Sequence, residues 1–202
     1  FDDVELTRRV GQALGAVLKA CDVDVTLAPV LDVATHPENV MLAARAISSD
    51  PEVVARHGAA FVSGLHTVDV GGCAKHAPGH GDTAVDSHLG VPVLGVALDL
   101  LHARELVPFR AAVDAGVDAV MLAHLLVPAL GDGLTSLEPA VPALLREMGF
   151  EGAIVTDALD MGAVLERTGG DIGEAAVRAL AAGSDLLCFG SPAHIDEDVF
   201  RH

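Results

Sequence analysis

The sequence predicts an α/β fold, a parallel sheet wrapped by helices. Short apolar runs alternate with helical patterns along the 202 residues. The runs are apolar on both faces, as strands covered by helices must be. Polar groups able to do chemistry fall just after several different runs: Asp32, Lys75 with His76, His124, and Asp157.

The elements follow in order. Residues 4–20 place Val4, Val10, Leu14, Val17 and Leu18 at helical spacing. Residues 25–31 (VTLAPVL) read as a buried strand. Pro51, an allowed first-turn residue behind Ser48-Ser49-Asp50, opens a helix over 51–65. Residues 72–76 (GCAKH) form a short strand, and 99–115 a helix that ends before Gly116. A strand at 117–123, a helix at 139–148 closed by Gly149 and a strand at 153–157 come next. A helix at 172–182 closed by Gly183 and a strand at 185–189 complete the series. Glycine just past a helix end is the expected terminator, because it tolerates the left-handed conformation.

Five strands separated by helices fit either an open doubly wound sheet or a barrel. No G-x-G-x-x-G follows any strand, which weakens a dinucleotide-binding reading. Reactive residues at the carboxyl ends of many strands are the barrel pattern. The expectation is a (β/α)8 TIM barrel, incomplete here, since a full one has typically ~250 residues and about three strands, mostly early ones, are missing. The chain opens at Phe1 directly on a helical pattern with no signal peptide, which reads as a piece of a longer protein. No low-complexity linker or charge block divides it, so residues 1–202 read as one partial barrel domain.

Composition excludes several classes. Hydrophobic residues make up 51% of the chain, too many for a disordered protein. No apolar run approaches the ~20 residues that span a bilayer. With 12 Lys and Arg against 29 Asp and Glu, the net charge is -17, so neither nucleic acid nor an anionic membrane surface is expected as a partner. Cys21, Cys73 and Cys188 are odd in number, widely spaced and without a CxxC or Cys/His zinc pattern. Each is expected to be a small apolar core residue, which leans toward a reducing, cytoplasmic compartment.

The densest polar segment is 75–88, KHAPGHGDTAVDSH, with three His, two Asp and one Lys. Gly79 and Gly81 make it a loop. It reads as a solvated loop, as a metal site built from His76, His80, Asp82, Asp86 and His88, or as an acid/base and substrate-clamping loop. In the last reading Asp86 orients His88, two residues on, for proton transfer near neutral pH. In 153–162 (AIVTDALDMG), Asp157 ends an apolar strand, either as a base, metal ligand or nucleophile or as a helix N-cap. Asp160 reads as a charge at the start of the following helix. Arg45 in RAISSDPE reads first as a surface ion pair, and His124 as either a site residue or a satisfied buried histidine.

Together these segments resemble one known family. KHAPGHGDTAVDSH followed by TDALDMGA is similar to the β-N-acetylhexosaminidase branch of glycoside hydrolase family 3. LAPVLDV, ARAISSDPE and the stretch from VMLAHLLVPAL to LLREMGFEGAIVTD match in the same order, over roughly residues 10–190. The resemblance implies a (β/α)8 barrel, retaining hydrolysis, and no cofactor or metal. It implies that Asp157 is the nucleophile, His88 the acid/base and Asp86 its orienting partner. Arg45, Lys75 and His76 would contact sugar hydroxyls, and His124, at a matching strand end, is counted with them as substrate-binding. Ala77 stands where the family usually carries an aromatic residue, and R-A-I-S where R-S-F-S is common, which implies a slightly altered wall.

The expected activity is exo-hydrolysis of terminal N-acetylglucosamine from muropeptides or chitooligosaccharides. A phosphorylase of the same branch is one alternative, because a histidine acid/base does not repel phosphate. A truncated sugar-binding protein without turnover is another. An open barrel edge exposes backbone groups and apolar surface, so these 202 residues alone are expected to be unstable or to close through a partner copy.

Overall fold

A computed structural model describes residues 2–36, 39, 42, 44–83 and 90–190. Helix α1 (Val4–Ala20) begins at Asp3, whose carboxylate accepts from the Leu6 N–H. Asp50 does the same for Glu52 at the start of α2 (Pro51–His66), with Pro51 in the first turn as expected. Strands β1 (Val25–Thr26), β2 (Gly71–Ala77), β3 (Ala119–Leu122), β4 (Ala153–Ala158) and β5 (Leu186–Cys188) pair in parallel in the order β1-β2-β3-β4-β5. Between the later strands lie α3 (Val107–Asp114), α4 (Ala140–Glu147), α5 (Gly162–Thr168) and α6 (Ile172–Ala182).

The strand order decides between the two architectures. A doubly wound sheet reverses its order at a switch point. Here every strand pairs with its successor, so right-handed crossovers keep the helices on one face, as in a barrel wall. Ala74, Val120, Leu122 and Ile154 pack with Val54 and Val62 of α2, Phe109 and Ala112 of α3, and Val141 and Leu145 of α4. The other face carries a small apolar cluster of Cys73, Ala119, Met121 and Val155.

Three elements differ from expectation. The strand expected at 25–31 holds a ladder only over Val25–Thr26 and rejoins β2 at Val30, which bridges Lys75. Pro29 between them has no N–H to give to a ladder. The helix expected at 99–115 is interrupted by a π-helical turn over Leu101–Glu105, where the Leu106 N–H donates to the Leu101 carbonyl at 3.0 Å. Pro108 explains the break, since it supplies no N–H to the Arg104 carbonyl and α3 restarts around it. Helix α5 was anticipated only through the cap and first-turn readings of Asp157 and Asp160 and had no range, because seven residues are too few for periodicity to show. Cys21 also departs from expectation: it is exposed at the C-cap of α1, while Cys73 is buried and Cys188 is partly so.

The edges of the sheet are apolar and open among the described residues. Val25 and Leu27 at the β1 edge and Leu186 in β5 are about half exposed, and Leu6, Val10, Leu14 and Val17 form an exposed stripe on α1.

Candidate functional site

Strand parity places two of the expected residues together. Side chains two apart on a strand share a face. Cys73 and Val155 belong to the inner cluster, so Lys75 on β2 and Asp157 on β4 rise from that same face toward the carboxyl ends of their strands. Electrostatics agrees. Burial pushes the Cys73 thiol up to about 12; the Lys75 ammonium opposes this and the Asp157 carboxylate adds to it. Cys188 is also raised, by burial and then by Asp157.

Asp157 is not a helix N-cap. Helix α5 starts five residues later with Met161 at its N-cap, and the Ala158 N–H donates to Asp157 Oδ1 at 2.8 Å. Asp160 does not cap that helix either: its Oδ1 accepts from the Gly190 N–H at 2.7 Å, tying the end of β4 to the segment after β5.

His124 follows β3 and is 1% exposed. Its Nε2 lies 2.9 Å from the Ala158 carbonyl oxygen, which only accepts, so Nε2 carries the proton. Burial holds His124 below the ordinary histidine range, with the Asp157 charge acting against it. In the neutral ring Nδ1 is then the acceptor, and the Ser136 hydroxyl at 2.6 Å donates to it. Both ring nitrogens of His124 are therefore engaged by protein groups, one of them the carbonyl of Ala158, the residue after Asp157.

His76 is held by a residue to which the sequence pattern gave a position but no role. Asp32, fully buried two residues past the Val30 bridge to β2, places Oδ2 at 2.7 Å from His76 Nδ1. Its Oδ1 accepts from the backbone N–H of His80 at 2.6 Å and of His76 at 3.3 Å. Burial pushes Asp32 up, but the His76 ring and the His80 N–H outweigh it and hold the carboxyl below its usual range. The signal was there: an acid at the end of LAPVLD, in the position where a barrel strand presents its reactive group.

The first half of the polar loop is thus built in. Gly81 packs so closely on the Val33 backbone that a Cβ would collide with its carbonyl. The His80 carbonyl accepts from Asn39 Nδ2 at 3.0 Å and from the Thr83 hydroxyl at 3.0 Å. Thr83 Oγ1 also lies 2.7 Å from His80 Nδ1, and burial holds His80 below the ordinary histidine range. Asp86 and His88 lie outside the described residues. Arg45 sits on an exposed turn ahead of α2, its N–H on the Leu42 carbonyl. Among the described residues no group of three His, Cys, Asp or Glu is arranged to hold a metal ion.

The site is a carboxylate and an ammonium on one face of a parallel sheet, flanked by histidines locked in fixed orientations. Comparisons with known proteins converge on one family. The model for the glycosyl hydrolase family 3 N-terminal domain matches residues 1–196. A β-hexosaminidase of Stenotrophomonas maltophilia is 35% identical over 194 residues, covering 95% of this chain and 57% of the relative. This chain thus spans little more than half the length of such relatives. The structure of a glycoside hydrolase family 3 β-N-acetylglucosaminidase from a Paenibacillus species superimposes with a TM-score of 0.89 at 39% identity, covering 93% of this chain and 36% of that one. NagZ from Neisseria gonorrhoeae, in complex with N-trifluoroacetyl-D-glucosamine, superimposes with a TM-score of 0.83 at 35% identity, covering 96% of this chain and 55% of that one. The chain belongs to glycosyl hydrolase family 3, through the match to its N-terminal domain.

Proposed function

We propose that the protein carrying this chain is a retaining exo-β-N-acetylglucosaminidase that releases terminal N-acetylglucosamine from muropeptides or chitooligosaccharides. The observation that carries the reading is Asp157: a strand-end carboxylate on the same sheet face as Lys75, next in the chain to the Ala158 carbonyl that a neutral, doubly engaged His124 holds. The names of the relatives support the substrate class. The five sequentially paired strands support membership in an eight-stranded barrel, of which residues 1–202 form a part.

The chemistry follows from two groups on opposite sides of the glycosidic bond. The Asp157 carboxylate attacks the anomeric carbon. The bond to the leaving oxygen breaks, and that oxygen takes a proton from His88. Water then attacks the same carbon, His88 takes its proton, and the ester bond to Asp157 breaks. Two inversions leave the anomeric configuration retained. Asp86 orients and charges His88. Those two assignments rest on the match of the DTAVDSH segment to the family. Arg45, Lys75 and His76 bind sugar hydroxyls. Asp32 occupies Nδ1 of His76 and leaves Nε2 for the sugar. His124 acts as a positioning residue, holding the Ala158 carbonyl and so the backbone of Asp157.

Trapping the full-length protein with a slow fluorinated N-acetylglucosaminide, followed by peptide mass spectrometry, tests this. An adduct on Asp157 is expected. Turnover with labelling at another residue overturns the assignment, and sugar binding without turnover transfers the reading to a binding protein. Release of N-acetylglucosamine 1-phosphate when phosphate is added identifies a phosphorylase instead.

A further inference from the structure

The mechanism uses no residue of the π-helical turn, yet that turn buries a second carboxyl near the site, as inaccessible as Asp32. Glu105 is 0% exposed. Arg104 Nε donates to its Oε1 at 2.6 Å, and the same guanidinium reaches Asp82 Oδ2 at 2.5 Å. Its Oε2 is buried and has no hydrogen-bond partner among the described residues. That oxygen faces Gly79: a Cβ at this glycine would lie 2.8 Å from Oε2 and 3.0 Å from the Glu105 Cβ. Gly79 has φ +129° and donates its N–H to the His76 carbonyl at 2.8 Å. Glu105 thus touches the turn at Gly79 directly and at Asp82 through Arg104, on either side of His80.

We propose that Glu105 is a positioning residue for the glycosidase site, its side chain seating Gly79 and its Oε1 steering Arg104 onto Asp82, so that the turn between His76 and Asp82 keeps one shape. The proposal rests on the functional reading above. A buried carboxyl with an unsatisfied oxygen lowers stability, and sites retained at such expense are characteristically functional. The groups facing Glu105 are Arg104 on its own turn, Asp82 on the loop and Asp32, two residues past the Val30 bridge. Burial pushes Glu105 up to about 7, Arg104 pulls it back, and Asp82 and Asp32 add to the rise.

The test compares wild type, Glu105→Gln, Asp82→Asn and the double variant in the full-length protein. The readouts are kcat and KM on an aryl N-acetylglucosaminide across pH, thermal midpoint, and hydrogen exchange of peptides over 76–83. Glu105→Gln keeps the shape of the side chain and removes its charge. The expected result is a fold-intact protein with an unchanged or higher midpoint at alkaline pH, faster exchange over 76–83, and kcat reduced roughly tenfold with a smaller change in KM. The double variant is expected to lose no more than the worse single variant, because both act on Arg104. A lowered midpoint with unchanged kcat makes Glu105 merely structural and overturns the proposal, as do additive losses or unchanged exchange. If the wild type does not cleave the glycoside, the functional reading fails by itself, and with it the proposal's catalytic half. Exchange over 76–83 then decides separately whether Glu105 seats the turn.

Discussion

Asp32 Oδ2 lies 2.7 Å from His76 Nδ1, joining the segment that follows the Val30 bridge to the end of β2 by a buried pair. The other oxygen of the same carboxylate takes the His80 N–H. One side chain thereby fixes a ring, a loop backbone and the junction of two strands. Removing it leaves all three donors without an acceptor.

Asp32→Ala is expected to lower stability by about 3 kcal/mol, the scale for breaking a buried pair from one side. Denaturant unfolding of the full-length protein at neutral pH measures it. The pKa of Asp32 is depressed in the fold, so its contribution is present above the ordinary carboxylate range and lost as pH falls through the folded value. The gap between wild type and variant should therefore narrow in acid; a constant gap would show that the charge of Asp32 is not what stabilises.

Asp157→Asn is expected to reduce kcat by at least about a thousandfold on an aryl N-acetylglucosaminide while the thermal midpoint stays close to wild type. The residue is partly exposed and its carboxylate accepts from the neighbouring Ala158 N–H, a local bond that an asparagine oxygen can also accept, so folding depends on the charge little. A variant that stays active would remove Asp157 from the nucleophile role.

Glu105 has the opposite pH dependence to Asp32. Its folded pKa is raised, from 4.5 to about 7, so the fold favours the protonated form. Stability is then full below the unfolded value, falls as pH rises between the two, and stays reduced above. The loss is on the order of 3 kcal/mol. Thermal melts of wild type and Glu105→Gln from acid to alkaline pH should converge in acid and separate in favour of the variant in alkali.

His124→Ala is expected to lower kcat by about tenfold to a hundredfold with the larger effect on kcat, not KM, as for a group that orients another. Ser136→Ala should have a smaller effect in the same direction. It leaves the Nε2 bond to Ala158 in place and removes only the hydroxyl that donates to Nδ1. Steady-state kinetics on both variants decides this; a pure KM effect would make His124 a substrate contact instead.

Residues 1–202 expressed alone are expected to self-associate or bind a hydrophobic dye. Val25 and Leu27 at one edge, Leu186 at the other and the α1 stripe from Leu6 to Val17 leave apolar surface in water. Size-exclusion chromatography with light scattering is the measurement, and a dye-silent monomer would show that these surfaces are tolerated uncovered.

Much of this protein was legible along the chain. The caps Asp50-Pro51 and Gly183 and the apolar runs that became β2, β3 and β4 are local facts, set by propensity and by which faces must be buried. So was the position of Asp157 at a strand end. Tertiary structure decided what one-dimensional patterns do not carry. The strand order β1-β2-β3-β4-β5 comes from pairing between distant segments, and it alone separates a barrel wall from a doubly wound sheet. Asp32 and His76 are 44 residues apart, and nothing in either segment names the other as its partner. Glu105 falls inside the stretch whose pattern predicts an unbroken helix over 99–115; only the folded chain shows it in a π-helical turn with its carboxyl against Gly79. Residue type and local period fix what a segment will become, but burial and partnership are properties of segments brought together, and these set the charge, tautomer and orientation of the site.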